Sequence, residues 1–256
     1  NKRWASPKFI AGESYGSTRA CGLAHYLQTK HGMYLNGLIL ISCVLDFITL
    51  WVEPSDVNDL PFALFLPTMA ATAWYHRKLP ADLQKQSLQA VVAQAEAFAA
   101  NEYTLALFKG RSLTGEARQR IVAQVARFTG VSEQFVERCD LRIDDSRYYT
   151  ELLRDQGKTI GRLDSRFTGQ DRDSAGELAL TDPARSNLLG ACATAFNHYM
   201  RETLAYVSDS PYTIMTSLYK TWGWGDYKNK YASVSDKLRE AMQANPHLQV
   251  LIASGY

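Results

Sequence analysis

Apolar residues follow two rhythms along this chain. Phe9-Ile10-Ala11 is a short apolar run bounded by Pro7 and Gly12, the pattern of a buried strand. Directly after it, Ala20, Leu23, Ala24 and Leu27 recur at offsets of three, four and seven, which predicts the apolar face of a helix stopping near His31-Gly32. Asn36-Gly37 then turns the chain into Leu38-Ile39-Leu40-Ile41, a continuous apolar run of the kind found inside a parallel sheet. The run from Gly37 to Val52, with Asp46 in its middle, falls short of the ~20 residues that span a bilayer and reads as a buried strand. Strand, helix and strand in this order make a βαβ unit.

After Glu53-Pro54 the rhythm becomes helical. Leu83 to Ala100 is rich in Ala, Gln and Leu, Thr114 to Phe128 places Ile121, Val125 and Phe128 on one face, and Pro183 to Tyr206 is helical again. Pro61 and Pro67 interrupt the stretch from Leu60 to Trp74, which predicts a packed irregular segment there. Sheet character returns at the end. Val234, Leu238 and Met242 mark a helix face with Ser233 or Ser235 as N-cap, Asn245-Pro246 ends that helix, and Leu248 to Ala253 is a new apolar strand. The expected fold class is therefore α/β, with a parallel-sheet core from residues 1–52 and 231–256. A mainly α-helical insertion, residues 53–230, interrupts it in the manner of a cap over an active site.

Composition narrows the chemistry. With 46% hydrophobic residues among 256, the chain can bury a sizeable core. Twenty-eight basic and twenty-six acidic residues give a net charge of +2, so no overall field attracts nucleic acid or an anionic membrane. Cys21, Cys43, Cys139 and Cys192 are widely spaced without a CxxC pair and read as buried free thiols. Asp171-Arg172-Asp173, with Asp182 at the twelfth position, resembles a calcium loop, but Ala175 stands at a ligand position. Neither HExxH nor a phosphate-cradling Gly-Lys loop occurs, so no metal and no cofactor is expected. Asp144-Asp145 reads as a helix start. The aromatic run from Tyr219 to Tyr227 fits packing of the insertion, or the lining of a substrate cleft, better than nucleic-acid stacking at this near-neutral charge.

The chemistry is concentrated at Gly12-Glu13-Ser14-Tyr15-Gly16. It fits G-x-S-x-G, the nucleophile elbow, in which a serine sits on a strained turn between a strand and a helix. Here an apolar strand precedes the motif and an amphipathic helix follows, as the motif requires. Gly12 and Gly16 are expected where side chains would collide in so tight a turn. Ser14 is the candidate nucleophile, and the backbone N–H of Tyr15 the candidate oxyanion donor, helped by the helix N-terminus.

These residues carry a resemblance. "GESYG" resembles the elbow of the serine carboxypeptidase family, within the α/β-hydrolase superfamily, and "PKFIAGESYGSTRACGLAHYL" with "LNGLILIS" is similar to its bacterial branch. The likeness extends through "GRLDSRF" and "NPHLQVLIASGY", and departs from the better-known eukaryotic members at Ser17-Thr18-Arg19. It implies a peptide substrate with a free C-terminus, secreted or periplasmic placement, and a role for Glu13 in binding the substrate's terminal carboxylate. One carboxyl of that pair would keep its proton and donate a hydrogen bond to the other, favouring acidic conditions.

A serine nucleophile also needs a base and an orienting acid, in the chain order Ser, Asp or Glu, His. The resemblance places the acid one or two residues beyond Tyr256, and His25, His31, His76, His198 and His247 do not follow a suitable acid in order. The chain opens on Asn1-Lys2-Arg3-Trp4 close to its first strand, so it reads as an internal piece that alone would hydrolyse little. Two other readings stand beside the exopeptidase: an esterase or acyltransferase with the same elbow, and a non-catalytic binding protein with a relic one. Glu13 favours the peptidase, because a carboxylate anchor is useful only to a substrate that ends in one.

Overall fold

The computed structural model describes residues 3–50, 58–210, 212–213, 216, 218–223, 225–227 and 230–255. The chain begins with β1 (Phe9–Glu13), α1 (Tyr15–His31) and β2 (Gly37–Ile41). There follow α2 (Leu60–Tyr75), α3 (Ala81–Gln84), α4 (Leu88–Phe98), α5 (Thr104–Lys109), α6 (Gly115–Thr129), α7 (Glu133–Arg138) and α8 (Asp145–Glu151). Two short strands, β3 (Thr159–Ile160) and β4 (Thr168–Gly169), precede α9 (Pro183–His198), and α10 (Ser235–Ala244) and β5 (Gln249–Ala253) complete the order. The fold is mixed α/β and divides into two compact units: residues 1–61 with 224–256, and residues 62–223. Among the described residues no helix is long and apolar enough to cross a membrane.

In the first unit three parallel strands lie in the order β1-β2-β5. Glu13, Ile41 and Ala253 share one row at the carboxyl edge of the sheet. Ala20, Cys21 and Ala24 of α1, Leu38 and Leu40 of β2, and Leu238 and Ala241 of α10 form one buried cluster, so both helices cover the same sheet face. The small residues let α1 lie close to the sheet. The expected face is rotated as a result: Leu23 is 44% exposed, whereas Ser17, Thr18, Cys21 and Gln28 are buried. Gly32 ends α1 in the left-handed conformation at φ 58°, its N–H donating to the Leu27 carbonyl.

Other expectations need correction. The apolar run from Gly37 is strand only to Ile41; Ser42 turns at φ 47°, its N–H donating to the Ala253 carbonyl at 2.8 Å. Phe47–Thr49 then forms a 3₁₀ turn capped by Asp46, which accepts from Ile48 N–H, and Val52 lies outside the described residues. Leu60–Tyr75 is a helix, not an irregular segment, despite Pro61 and Pro67. Pro61 falls in the first turn, where its missing N–H costs nothing. An interior proline costs about 3 kcal/mol, but burial of Leu66 and Met69 alone returns about 1.5–3 kcal/mol each, and Ala63, Ala70, Ala71 and Ala73 are buried with them. The last helix begins at Ser235 behind Val234, with no side-chain cap from Ser233 or Ser235, and buries Leu238 and Ala241 while Met242 is exposed.

The second unit is helical around its own core. Phe98 stacks against Tyr103 and Phe128, with ring centroids 5.9 and 5.5 Å away. The Tyr148 hydroxyl lies between the Met69 and Thr129 carbonyls at 2.8 and 2.9 Å. Burial raises its pKa well above the usual value, so it stays protonated. A π-helical turn over Ala99–Tyr103 joins α4 to α5, and a second over Tyr199–Thr203 extends α9. Asp144 caps α8 by accepting from Arg147 N–H, as the acidic pair predicts. The four cysteines are free; Cys21 and Cys139 are buried, Cys43 is half-buried and, against expectation, Cys192 is exposed. Desolvation, with Cys43 nearby, pushes the Cys21 thiol up to about 11.

One buried amide ties the end of the last helix to the segment that leads into β2. The Asn245 side chain donates to the Leu35 carbonyl at 2.9 Å and accepts from His247 N–H at 3.3 Å. Asn245→Ala leaves a buried carbonyl without its donor and is expected to cost about 1–3 kcal/mol, read as a lower urea midpoint with an unchanged slope.

Candidate active site

Ser14 occupies the single residue between β1 and α1. Its backbone sits at φ 53°, ψ −123°, a region that non-glycine residues rarely enter and that marks stored strain. A serine that merely capped the helix would adopt extended dihedrals and accept a hydrogen bond from a first-turn N–H. Ser14 does neither: it makes no side-chain cap bond, and the residue is exposed. The turn thus leaves the residue exposed, with no cap bond from its hydroxyl to the helix.

The strand hands over to the helix so sharply that Gly12 touches the first helical turn. A Cβ on Gly12 would lie 2.2 Å from the Gly16 carbonyl oxygen and 2.7 Å from Ser17 N. Gly12 is therefore required by contact with backbone that cannot move aside. The steric expectation for Gly16 is not met, since a Cβ there would meet nothing within 4 Å. The collision is one-sided because the helix backbone at Gly16 faces Gly12, while its own side-chain direction points into open space.

Hydrogen bonds fix the bend from three sides. Ser14 N–H donates to the Ile41 carbonyl at 2.9 Å, extending the sheet register by one residue. The Ser14 carbonyl accepts from Ser17 N–H at 2.9 Å and from the Ser17 hydroxyl at 2.5 Å. The same Ser17 oxygen accepts from Val44 N–H at 2.8 Å, and Thr18 Oγ1 donates to the Val44 carbonyl at 2.6 Å. From the sequence Ser17 and Thr18 stand out only as a departure from the family pattern, with no structural role assigned to them. The signal that could have found them is a pair of hydroxyl residues inside a helix, where such side chains are poor formers unless they bond backbone.

Glu13 ends β1 and is exposed. Alternation along β1 puts Ile10 and Gly12 toward α1 and Glu13 on the opposite sheet face, beside Ser14 in the chain. Tyr15 opens α1, half-buried, its ring edge-on to Phe47 with centroids 6.4 Å apart.

No histidine of the sheet unit stands at Ser14. His25 is eleven residues further along α1, about 16 Å up the helix axis, and pairs with Glu240 at 3.0 Å. His31 at the end of that helix lies edge-on to Tyr26. His247 is exposed and precedes β5, at the opposite sheet edge from Ser14. In the helical unit His76 Nε2 is 2.6 Å from the Ser165 carbonyl, and His198 is exposed at the end of α9.

The aspartates at 171–182 accept from backbone N–H groups, Asp182 from that of Arg162 as well, and Asp173 pairs with the Arg172 side chain. Asp171 accepts from Leu180 N–H, Asp173 from Ala175 N–H, and Asp182 caps α9 through Ala184 N–H. Among the described residues no group of three or more His, Cys, Asp or Glu is placed to hold a metal ion. In the aromatic run, Trp222 is exposed and Lys230 lies over the Tyr227 ring at 5.6 Å, whereas Trp224 is outside the described residues.

The chain matches no family model, no curated protein and no solved structure.

The two glycines of the motif separate in a stability measurement. Gly12→Ala is expected to cost more than about 3 kcal/mol or to prevent folding, because overpacking against fixed backbone has no relief. Gly16→Ala, in a helix and facing open space, is expected to stabilise by up to about 1 kcal/mol. Equal midpoints for the two variants in urea denaturation would contradict this assignment.

Proposed function

We propose that this chain carries the nucleophile of a serine-type hydrolase with a partial α/β-hydrolase core, acting as a carboxypeptidase on peptides with a free C-terminus. The observation that carries the reading is the backbone of Ser14: a strained strand-to-helix bend whose hydroxyl is left unused by the helix. The parallel strand order and the row formed by Glu13, Ile41 and Ala253 support it, because ligands of open α/β sheets gather at the carboxyl ends of the strands.

In this reaction Ser14 Oγ attacks the carbonyl carbon of the last peptide bond, giving up its proton to a base. The tetrahedral oxyanion is held by the Tyr15 N–H at the positive end of α1. Collapse expels the C-terminal amino acid, whose amine takes the proton from the base, and leaves an acyl ester on Ser14. Water then attacks the ester and restores the serine. Glu13 meets the substrate's terminal carboxylate through a shared proton, which selects exopeptidase over esterase chemistry. No histidine of the sheet unit stands at Ser14, so the base in this reading is a group other than His25, His31 and His247.

A fluorophosphonate probe applied to the native protein is expected to label Ser14, with labelling abolished in Ser14→Ala. An intact protein that stays unlabelled would identify the elbow as a relic and end the hydrolase reading. Glu13→Gln is expected to keep or improve peptide binding at neutral pH, since the amide donates without needing a proton. Isothermal titration with a non-hydrolysed peptide at acidic and neutral pH checks it, and an equal loss at both would exclude the shared proton.

A further inference from the structure

On the reading of Ser14 as nucleophile, we infer that Ser17 is a positioning residue that aims the oxyanion donor. The Ser14 carbonyl and the Tyr15 N–H are the two ends of one peptide group, which is planar, with its C=O and N–H pointing in opposite directions. Whatever fixes the direction of the carbonyl therefore fixes the direction of the N–H. That carbonyl receives two donors from one residue: the Ser17 N–H at 2.9 Å, as any tight first turn supplies, and the Ser17 hydroxyl at 2.5 Å.

A hydroxyl inside a helix commonly bonds a carbonyl three or four residues back with no functional meaning. The difference at Ser17 is a brace from the other side. Val44 N–H donates to the same oxygen at 2.8 Å, Ser17 is fully buried, and Val44 is itself held by Thr18 Oγ1 at its carbonyl. The hydroxyl proton thus has one place to go, the Ser14 carbonyl. The series Val44 N–H, Ser17 O–H, Ser14 C=O polarises each bond in turn, which also strengthens the N–H at the far end of that peptide as a donor. The arrangement supplies the extra support that a strained residue needs to persist.

The experiment compares second-order rates of fluorophosphonate labelling for the native protein, Ser17→Ala, Ser17→Thr and Thr18→Val, each checked for folding by circular dichroism. Losing an oxyanion donor outright costs about 10²–10³, so misdirecting one by Ser17→Ala is expected to slow labelling at least about tenfold, with Ser17→Thr and Thr18→Val within about threefold of the parent. Ser17→Thr restores the hydroxyl; Thr18→Val loosens the loop but leaves the bond to the Ser14 carbonyl intact. If Ser17→Ala does not fold, Ser17→Cys, similar in size but a weak donor, takes its place with the same expected slowing. Labelling of Ser17→Ala at the parent rate would overturn the inference and leave the reading of Ser14 standing. Equal slowing in Ser17→Ala and Thr18→Val would also overturn it, since that is the signature of a purely structural role. Absence of label on the native protein would remove the reading itself, and the inference with it.

Discussion

Everything at the candidate site follows from one backbone contact, the approach of Gly12 to the peptide of Gly16. A strand that passes into a helix within a single residue forces that residue out of both β and α dihedrals, and Ser14 takes the strained position. The strain is held by the Ile41 carbonyl on one side and by Ser17 on the other. The small residues Ala20, Cys21 and Ala24 continue the same requirement along the helix, since α1 stays close to the sheet it has just left. Close packing and an exposed serine are thus two results of one geometry.

Much of the sheet unit was legible because its elements are short, regular and bounded by turn residues. Phe9-Ile10-Ala11, Leu38 to Ile41 and Leu248 to Ala253 are apolar runs that form strands, and the intervening helix fixes β1 and β2 as parallel; burial holds only for β2, since Phe9, Leu251 and Ile252 on the flanking strands are exposed. Gly32 and Asn245 ended their helices where turn chemistry says they should. The motif at Gly12 to Gly16 announced the bend, and the dihedrals of Ser14 give it physical content.

What was not legible depended on tertiary packing. Pro67 argues locally against a helix, yet a run that buries Leu66, Met69 and four alanines outweighs one lost hydrogen bond. Ser42 carries no turn signature such as Asn-Gly, and the positive φ that ends β2 is set by where β5 stops. Met242 fits the helical period as well as Ala241, and only the position of the sheet decides between them. Ser17 and Thr18 looked like a departure in a familiar motif; their partner, Val44, is twenty-seven and twenty-six residues away, respectively, and invisible to any local pattern.

That partner is gripped by its main chain, through its amide and its carbonyl. These two bonds ask nothing of the side chain at position 44, whereas gaining or losing one residue between Ile41 and Val44 would shift the wrong peptide under the two hydroxyls. Among variants of this protein, the segment should tolerate altered spelling but not altered length.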